Sequence, residues 1–353
     1  MVTPAAQSPQ GMEPDSPMDL DHLQDALGVP DAQRPWLREL GEQADRSNSS
    51  AVLLPARSQA QAALAPFALR AEDERELVQM WPDGSWPEEH WWLLRQLSER
   101  VVADIGQGYW RSWPALTEVT DARVRCVTIF AFAAAVPHLR AWHGRHGVSD
   151  EVSGATLADV GRHVAKNRDM FGRIGLEVAT WIALHFRGGL YQLGRLQYEP
   201  AQLGFQASIT WYESHEQAGL PAWLRQGAPV LRLHIPEMGP LDAVEVEYSL
   251  TQARAFFRHH FGGDYPVASC SSWLLDPQLT RYLSPSANIV AFQRRFRLVP
   301  RDSDGDADVF RFVFRHFEVD TQAVTVHSRL ERSIVEHLRA GGSWRVRTGW
   351  LRL

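Results

Sequence analysis

Lysine is almost missing from this sequence: Lys and Arg together number 36, yet Lys166 is the one lysine. Its neighbours, Ala165 and Asn167, are not those of a Gly-Lys-Ser/Thr phosphate loop, so that chemistry is excluded. The Val-Ala-Ile-Lys strand of a kinase is absent too, and a Schiff base would have only Lys166 to form on. Cysteine is scarce. Cys126 and Cys270 both lie in apolar stretches, which suits a chain in a reducing compartment. The longest apolar run, residues 127–136, is closed by Pro137 and is about half of the roughly twenty residues that span a bilayer. Residues 1–19 carry Pro, Ser and acids without the basic start and apolar core of a signal peptide, and are expected to be a disordered tail. Positive charge is not in excess either. A formal net charge of −6 argues against a general nucleic-acid or anionic-membrane partner. The expectation is a cytoplasmic protein.

What is present is a globular composition, 44% hydrophobic and 22% charged over 353 residues, enough for two or three domains. The first half carries helical signals. Ser85-Trp86-Pro87-Glu88 has the form of a capping box, with Trp91, Leu94, Leu97, Val101 and Ile105 following on one face. Residues 121–143 continue as a buried helix. Leu157, Val160 and Val164, then Ile174, Val178 and Ile182, mark two more, the last stopping at Gly188-Gly189.

Strand signals then take over, at 190–198, 205–211, 230–235, 267–275, 289–299, 309–317 and 344–351. Between them, Ser249-Leu250-Thr251-Gln252 has the form of a second capping box, and Asp276-Pro277 starts a short helix. A last helix is expected near 330–339. The fold class is α+β: a tail at 1–19, a helical N-terminal domain at 20–150 and a mixed-sheet α/β domain at 151–353.

Several segments carry a resemblance. These are Phe171-Gly172-Arg173-Ile174-Gly175, Leu193-Gly194-Arg195-Leu196-Gln197, His234-Ile235-Pro236, Ser249 with Ala253 and Phe256-Phe257, Ser272-Trp273-Leu274-Leu275-Asp276-Pro277, and Asn288-Ile289. In this order the second half resembles the GNAT acyltransferase superfamily. The chain as a whole is similar to bacterial two-domain proteins with a helical N-acyltransferase domain and a GNAT-like C-terminal domain.

The resemblance implies acyl-CoA as cosubstrate and a small amine as acceptor. It implies that pantetheine pairs with the splayed end of the strand reaching Ile235. The pyrophosphate would then rest on the start of the next helix, at Ser249, Leu250 and Thr251, with Arg254 nearby. Tyr282 on a short helix would protonate the leaving thiolate, and His234 or Glu237 would take the proton of the amine. The connection at 236–248 departs from the superfamily's glycine-rich pattern and carries Glu237, Asp242, Glu245 and Glu247. The alternative is therefore a GNAT fold without catalysis that binds a small cation or a protein partner on this acidic loop.

Other segments have plainer explanations. Arg195 and Gln197 would share one face of a strand, the arginine paired with a buried carboxylate. Asp302-Ser303-Asp304-Gly305-Asp306 lacks the closing glutamate of a calcium loop and suits a polar hairpin turn. His138, His143 and His146 lack a metal-ligand pattern, and Ser271 and Ser272 lack a nucleophile setting. Trp81, Trp86, Trp91 and Trp92 suit helix packing.

Overall fold

The apolar run at 127–136 becomes the first half of a helix and is buried on every side. This helix, Val127–Arg145, continues through Pro137, which leaves the carbonyl one turn earlier without its usual N–H partner. It belongs to the first of two units, Met1–Gly189 and Leu190–Leu353, seen in a computed structural model that describes residues 19–44, 54–107, 111–204 and 211–353.

The helices of the first unit, in order, are α1 Leu20–Leu27, α2 Arg34–Ala44, α3 Ala60–Leu64, α4 Ala71–Gln79 and α5 Glu88–Ala103. Then come α6 Ala122–Arg125, α7 Val127–Arg145, α8 Asp150–Leu157, α9 Asp159–Phe171 and α10 Ala179–Phe186. Helix α5 lies along α7, and its buried Leu93, Leu94, Leu97 and Val101 face the same core as Phe130 and Phe132. Tryptophans close that core. Trp81 and Trp86 each meet Phe130 edge-on with ring centroids 5.6 Å apart, and Phe132 stacks on Phe186 at 4.7 Å.

Three expectations for this unit change. The Ser85 capping box does not form: Ser85 donates to Asp83, and Pro87 stands at the N-cap of α5. The helix expected over 121–143 breaks at Cys126 because Asp121 caps the separate turn α6. The unit also ends at Gly189 rather than at residue 150, since α9 and α10 supply Val160, Val164, Ile182 and Phe186 to the same core. Residues 1–18 of the expected tail lie outside the described residues, while Asp19 caps α1 by accepting from the Asp21 amide.

The second unit is a mixed sheet with helices. Its strands are β1 Tyr191–Leu193, β2 Leu196–Gln202, β3 Pro229–His234, β4 Val267–Ser272, β5 Arg297–Asp304 and β6 Arg345–Arg352. Among the described residues they form one six-stranded sheet in the order β1-β2-β3-β4-β6-β5. All neighbours are antiparallel except β3 and β4. The helices are α11 Ser214–Gln217, α12 Ala243–Phe261, α13 Asn288–Gln293, α14 Asp306–Val309 and α15 Arg329–Arg339. Helix α12 is the crossover that a parallel β3–β4 pair requires, and it packs on β1 and β2.

Here too the sequence reading is corrected in places. The expected strand at 190–198 is a hairpin turned by Gly194 (φ +63°) and Arg195, so Arg195 is a turn residue and does not share a strand face with Gln197. Residues 205–210 of the next expected strand lie outside the described residues. The segment 289–299 divides into α13 and the start of β5. Residues 309–317, an apolar run expected as a strand, end α14 and wind into a π-helical turn at Phe310–Phe314. Asp302 pairs with Arg345 at the end of β5, and Asp306 accepts from the Trp344 amide at the start of α14. Ser271 bonds Thr348 on β6, and Ser272 caps the turn after β4.

Two consequences can be measured. A Cβ on Gly161 of α9 would lie 2.2 Å from the Phe67 carbonyl oxygen and 2.8 Å from that of Ala68, both backbone atoms that cannot swing aside. Gly161→Ala is expected to destabilise the protein by about 3 kcal/mol, read from urea unfolding. His143 is buried against Ser153, and burial holds its imidazole down at about 4, helped by the charges of His146 and Arg140. The unfolded chain protonates first, so this contribution to stability is complete above about pH 6.5 and lost as pH falls towards 4. His143→Gln should flatten that limb of the stability–pH curve.

Candidate active site at the split between two parallel strands

β3 and β4 are joined over only two registered pairs, Leu231 with Ala268 and Arg232 with Ser269. Beyond them the strands part. Leu233 and His234 stay paired with Tyr198 and Gln197 on β2, while Cys270 and Ser271 pair with Gly349 and Thr348 on β6. Backbone groups of both strands therefore face an open wedge at their C-terminal ends, the place where an extended ligand can add hydrogen bonds as a strand would. His234 stands at its mouth, followed by Ile235.

Strand alternation sorts the side chains around this wedge. Tyr198 and Leu233 lie on the α12 side, where the Tyr198 hydroxyl bonds Ser249 Oγ at 3.0 Å. Gln197, Glu199, Arg232 and His234 share the opposite side. There Glu199 is bracketed: Arg232 Nη1 donates to Oε1 and His234 Nε2 donates to Oε2, each at 3.0 Å. A carboxylate only accepts, so in the neutral ring Nε2 carries the proton and Nδ1 the lone pair. Glu199 thus sets the tautomer of His234 and can hold an imidazolium once it forms. Gln197 sits directly across from His234, almost fully buried, and its amide nitrogen has no hydrogen-bond partner among the described residues.

The loop after β3 is organised by one arginine. The Arg195 guanidinium, buried in the hairpin turn, donates to the carbonyls of Pro236, Gly239 and Pro240 at 2.9–3.1 Å. The expected carboxylate partner is replaced by three backbone oxygens, which bind the loop to the β1–β2 hairpin.

Three of the four acids at 236–248 have partners within the chain. Asp242 caps α12 by accepting from the Val244 and Glu245 amides. Glu237 is ion-paired with Arg315, and Glu247 with Arg295. The carboxylates of Glu237, Asp242 and Glu247 are thus each engaged within the chain.

The start of α12 overturns the expected pyrophosphate position. The helix opens at Ala243, not at Ser249, because the Asp242 cap precedes the Ser249-Leu250-Thr251-Gln252 segment by nearly two turns. Ser249 is fully buried inside the helix, donating to the Leu193 carbonyl and accepting from the Leu196 amide. Leu250 is buried as well, and the Thr251 hydroxyl bonds the Tyr248 carbonyl. Arg254 holds Asp264 at 2.7 Å. None of these four presents a free backbone N–H at a helix start.

Tyr282 lies at the end of the 3-10 turn Pro277–Arg281, which Asp276 caps as expected. His337 Nε2 donates to the Ser343 carbonyl at 3.2 Å, so its Nδ1 accepts the Tyr282 hydroxyl proton at 3.0 Å. The structure thus couples Tyr282 to His337 on α15, and His234 to Glu199 on β2.

Family models match both units of the chain. An N-acyltransferase N-terminal domain covers residues 58–188, and a GNAT-like C-terminal domain covers residues 190–351. Among solved structures, an acyltransferase in complex with decanoyl-CoA and teicoplanin is 33% identical, with a TM-score of 0.80, over 95% of this chain and 100% of that one. An acyltransferase in complex with decanoyl-CoA is 31% identical with a TM-score of 0.81, and a mutant acyltransferase in complex with octanoyl-CoA is 32% identical at 0.80, both over 95% of this chain and 100% of theirs. The chain belongs to the two-domain N-acyltransferase family. No curated protein matches its sequence. Among the described residues of this family member, no helix is long and apolar enough to cross a membrane.

Glu199 is the site residue that sequence reasoning missed. A lone acid within Leu-Gln-Tyr-Glu-Pro carries no signal until the β2–β3 register sets it between Arg232 and His234. Arg195 offers a test of the loop. Arg195→Met removes charge-assisted bonds from three carbonyls and should cost about 3 kcal/mol, with faster amide exchange confined to residues 236–241. Unchanged exchange there would show that the loop holds itself.

Proposed function

We propose that this chain transfers an acyl group from acyl-CoA to an amine by direct attack at the β3–β4 split, with His234 as general base. The observation that carries this reading is the Glu199-bound His234 at the mouth of that split, in a family whose solved members hold decanoyl-CoA and octanoyl-CoA. Pantetheine adds to the free edge of β3, which brings the thioester to the end of the strand. The amine nitrogen attacks the thioester carbonyl carbon, its proton passes to His234 Nδ1, and Glu199 holds the resulting imidazolium. The C–S bond then breaks, giving the amide and a thiolate. Tyr282 gives its hydroxyl proton to the thiolate and is reprotonated from solvent, while the imidazolium of His234 returns the amine's proton to solvent. Acyl-CoA and amine thereby become amide and CoA thiol, with every proton accounted for.

The acceptor class follows the relatives. Teicoplanin is bound in one of them, and an amine on a glycopeptide is the acceptor we favour over a small free amine. The reading in which the acidic loop binds a cation is disfavoured by the ion pairs of Glu237 and Glu247 and by the capping role of Asp242.

Decanoyl-CoA and teicoplanin are the pair to supply, with release of CoA thiol and the mass of the product as readouts. His234→Gln should lower kcat by about a hundredfold or more while leaving KM for acyl-CoA nearly unchanged. Glu199→Gln should lower it less, about tenfold, with the pH–rate profile displaced. Full activity of His234→Gln would remove the base from the mechanism. Failure to release thiol from any acyl-CoA would remove the reaction itself.

A further inference from the structure

Beside Tyr282, the second unit has a cavity of about 300 Å³ against the first turns of α15, lined also by Arg329, Arg332, Ser333 and Glu336. Both arginines are exposed, and no carboxylate lies within ion-pair distance of either among the described residues. That sets them apart from Arg254, Arg295, Arg301, Arg315 and Arg345 of the same unit, each of which holds an acid.

Their position is electrostatically unfavourable as it stands. Arg329 is the first residue of α15 and Arg332 lies one turn on, so two cations sit at the positive end of an 11-residue helix. The helix does not need them for capping. Ser328 accepts from the Glu331 amide, and the Glu331 carboxylate accepts from the His327 amide. Glu336, the one acid in the lining, makes no ion pair with either arginine and leaves the lining with an excess of one positive charge, and the Tyr282 hydroxyl on the other wall is bonded to His337. An arrangement that concentrates positive charge beside a cavity and leaves it unpaired is completed by an anion.

We propose that this cavity is an oxyanion-binding site in which Arg329 and Arg332 hold a carboxylate or phosphate group of a ligand. The planar guanidinium forks suit either group, because both present paired oxygens. Two sources supply that chemistry here: a phosphate of CoA, or an acid group of the acceptor. The site stands independently of acyl transfer, since binding is measured without turnover.

Calorimetric titration with inorganic phosphate and with succinate, at matched ionic strength, tests it. The wild-type protein is expected to bind at least one of them. The Arg329→Gln/Arg332→Gln double variant should bind at least tenfold more weakly, with a melting temperature in chloride no lower than that of the wild type. Arg294→Gln, which removes one exposed and unpaired charge elsewhere in the unit, should bind as wild type does. CoA and dephospho-CoA then separate the sources. A wild-type preference for CoA that disappears in the double variant assigns the site to the cosubstrate's 3′-phosphate. Equal binding of the two, with succinate competing against phosphate, assigns it to the acceptor's acid. Equal affinity of wild type and double variant for both small anions would overturn the proposal, as would the absence of any binding to the wild type.

Discussion

The second unit depends on how little joins β3 to β4. Two parallel pairs, Leu231–Ala268 and Arg232–Ser269, connect the β1–β2–β3 side of the sheet to the β4–β6–β5 side. The chain could have extended this ladder to His234 and Ser272, and it diverges instead. Each strand then keeps its outer partner, β2 for one and β6 for the other, so the parting opens a wedge without unravelling the sheet. Once it is open, the face on which His234 lies is dictated by register: it shares the side of Arg232 and Glu199, away from α12.

Buried hydrogen bonds around α12 keep the wedge in place. Ser249 is the pivot, its one hydroxyl engaging Leu193, Leu196 and Tyr198 on the hairpin. Arg195 does the same for the loop between β3 and α12. A lysine at that position would offer a point charge, whereas the guanidinium fork reaches three carbonyls spread along the loop. One anchor sits in the hairpin turn ahead of the helix and the other within the helix. Between them they set where β3 ends and where the helix axis begins.

Much of this was legible from residues alone, and the exceptions have physical causes. Residues 230–235 are apolar at every second position, and β3 covers them to His234. The last strand and α15 were equally plain. The start of α12 was not, because Ser249 and Gln252 have the spacing of a capping box, while the true cap is Asp242 just after Pro240. A polar serine inside a helix became explicable only when its buried partners on β1 and β2 were known. The segment 309–317 is rich in Val and Phe as a strand is, but Phe312 and Phe317 are exposed and the backbone there is wound. Glu199 and the true partners of Arg195 escaped for one shared reason: each acts on residues some 35 to 45 positions away, and only register or a tertiary turn brings them together.

Charge links these observations. A loop carrying Glu237, Asp242, Glu245 and Glu247 looks hostile to an anionic cosubstrate when charges are counted along the chain. Folding changes the count. Arg315 comes from beyond β5 to meet Glu237, Arg295 comes from just past α13 to meet Glu247, and Asp242 turns its oxygens onto two amides of its own helix. Coulomb energy falls off with distance and is screened in water, so what a ligand feels beside this loop is the set of pairs and not the sum of acids. Because the basic residues are almost all arginines, each pairing is made through a planar fork rather than a point charge. Three acids of the loop are thereby spent on holding the loop's shape, and the imidazole of His234 stands beside a carboxylate that the register of β2 and β3 sets between it and Arg232.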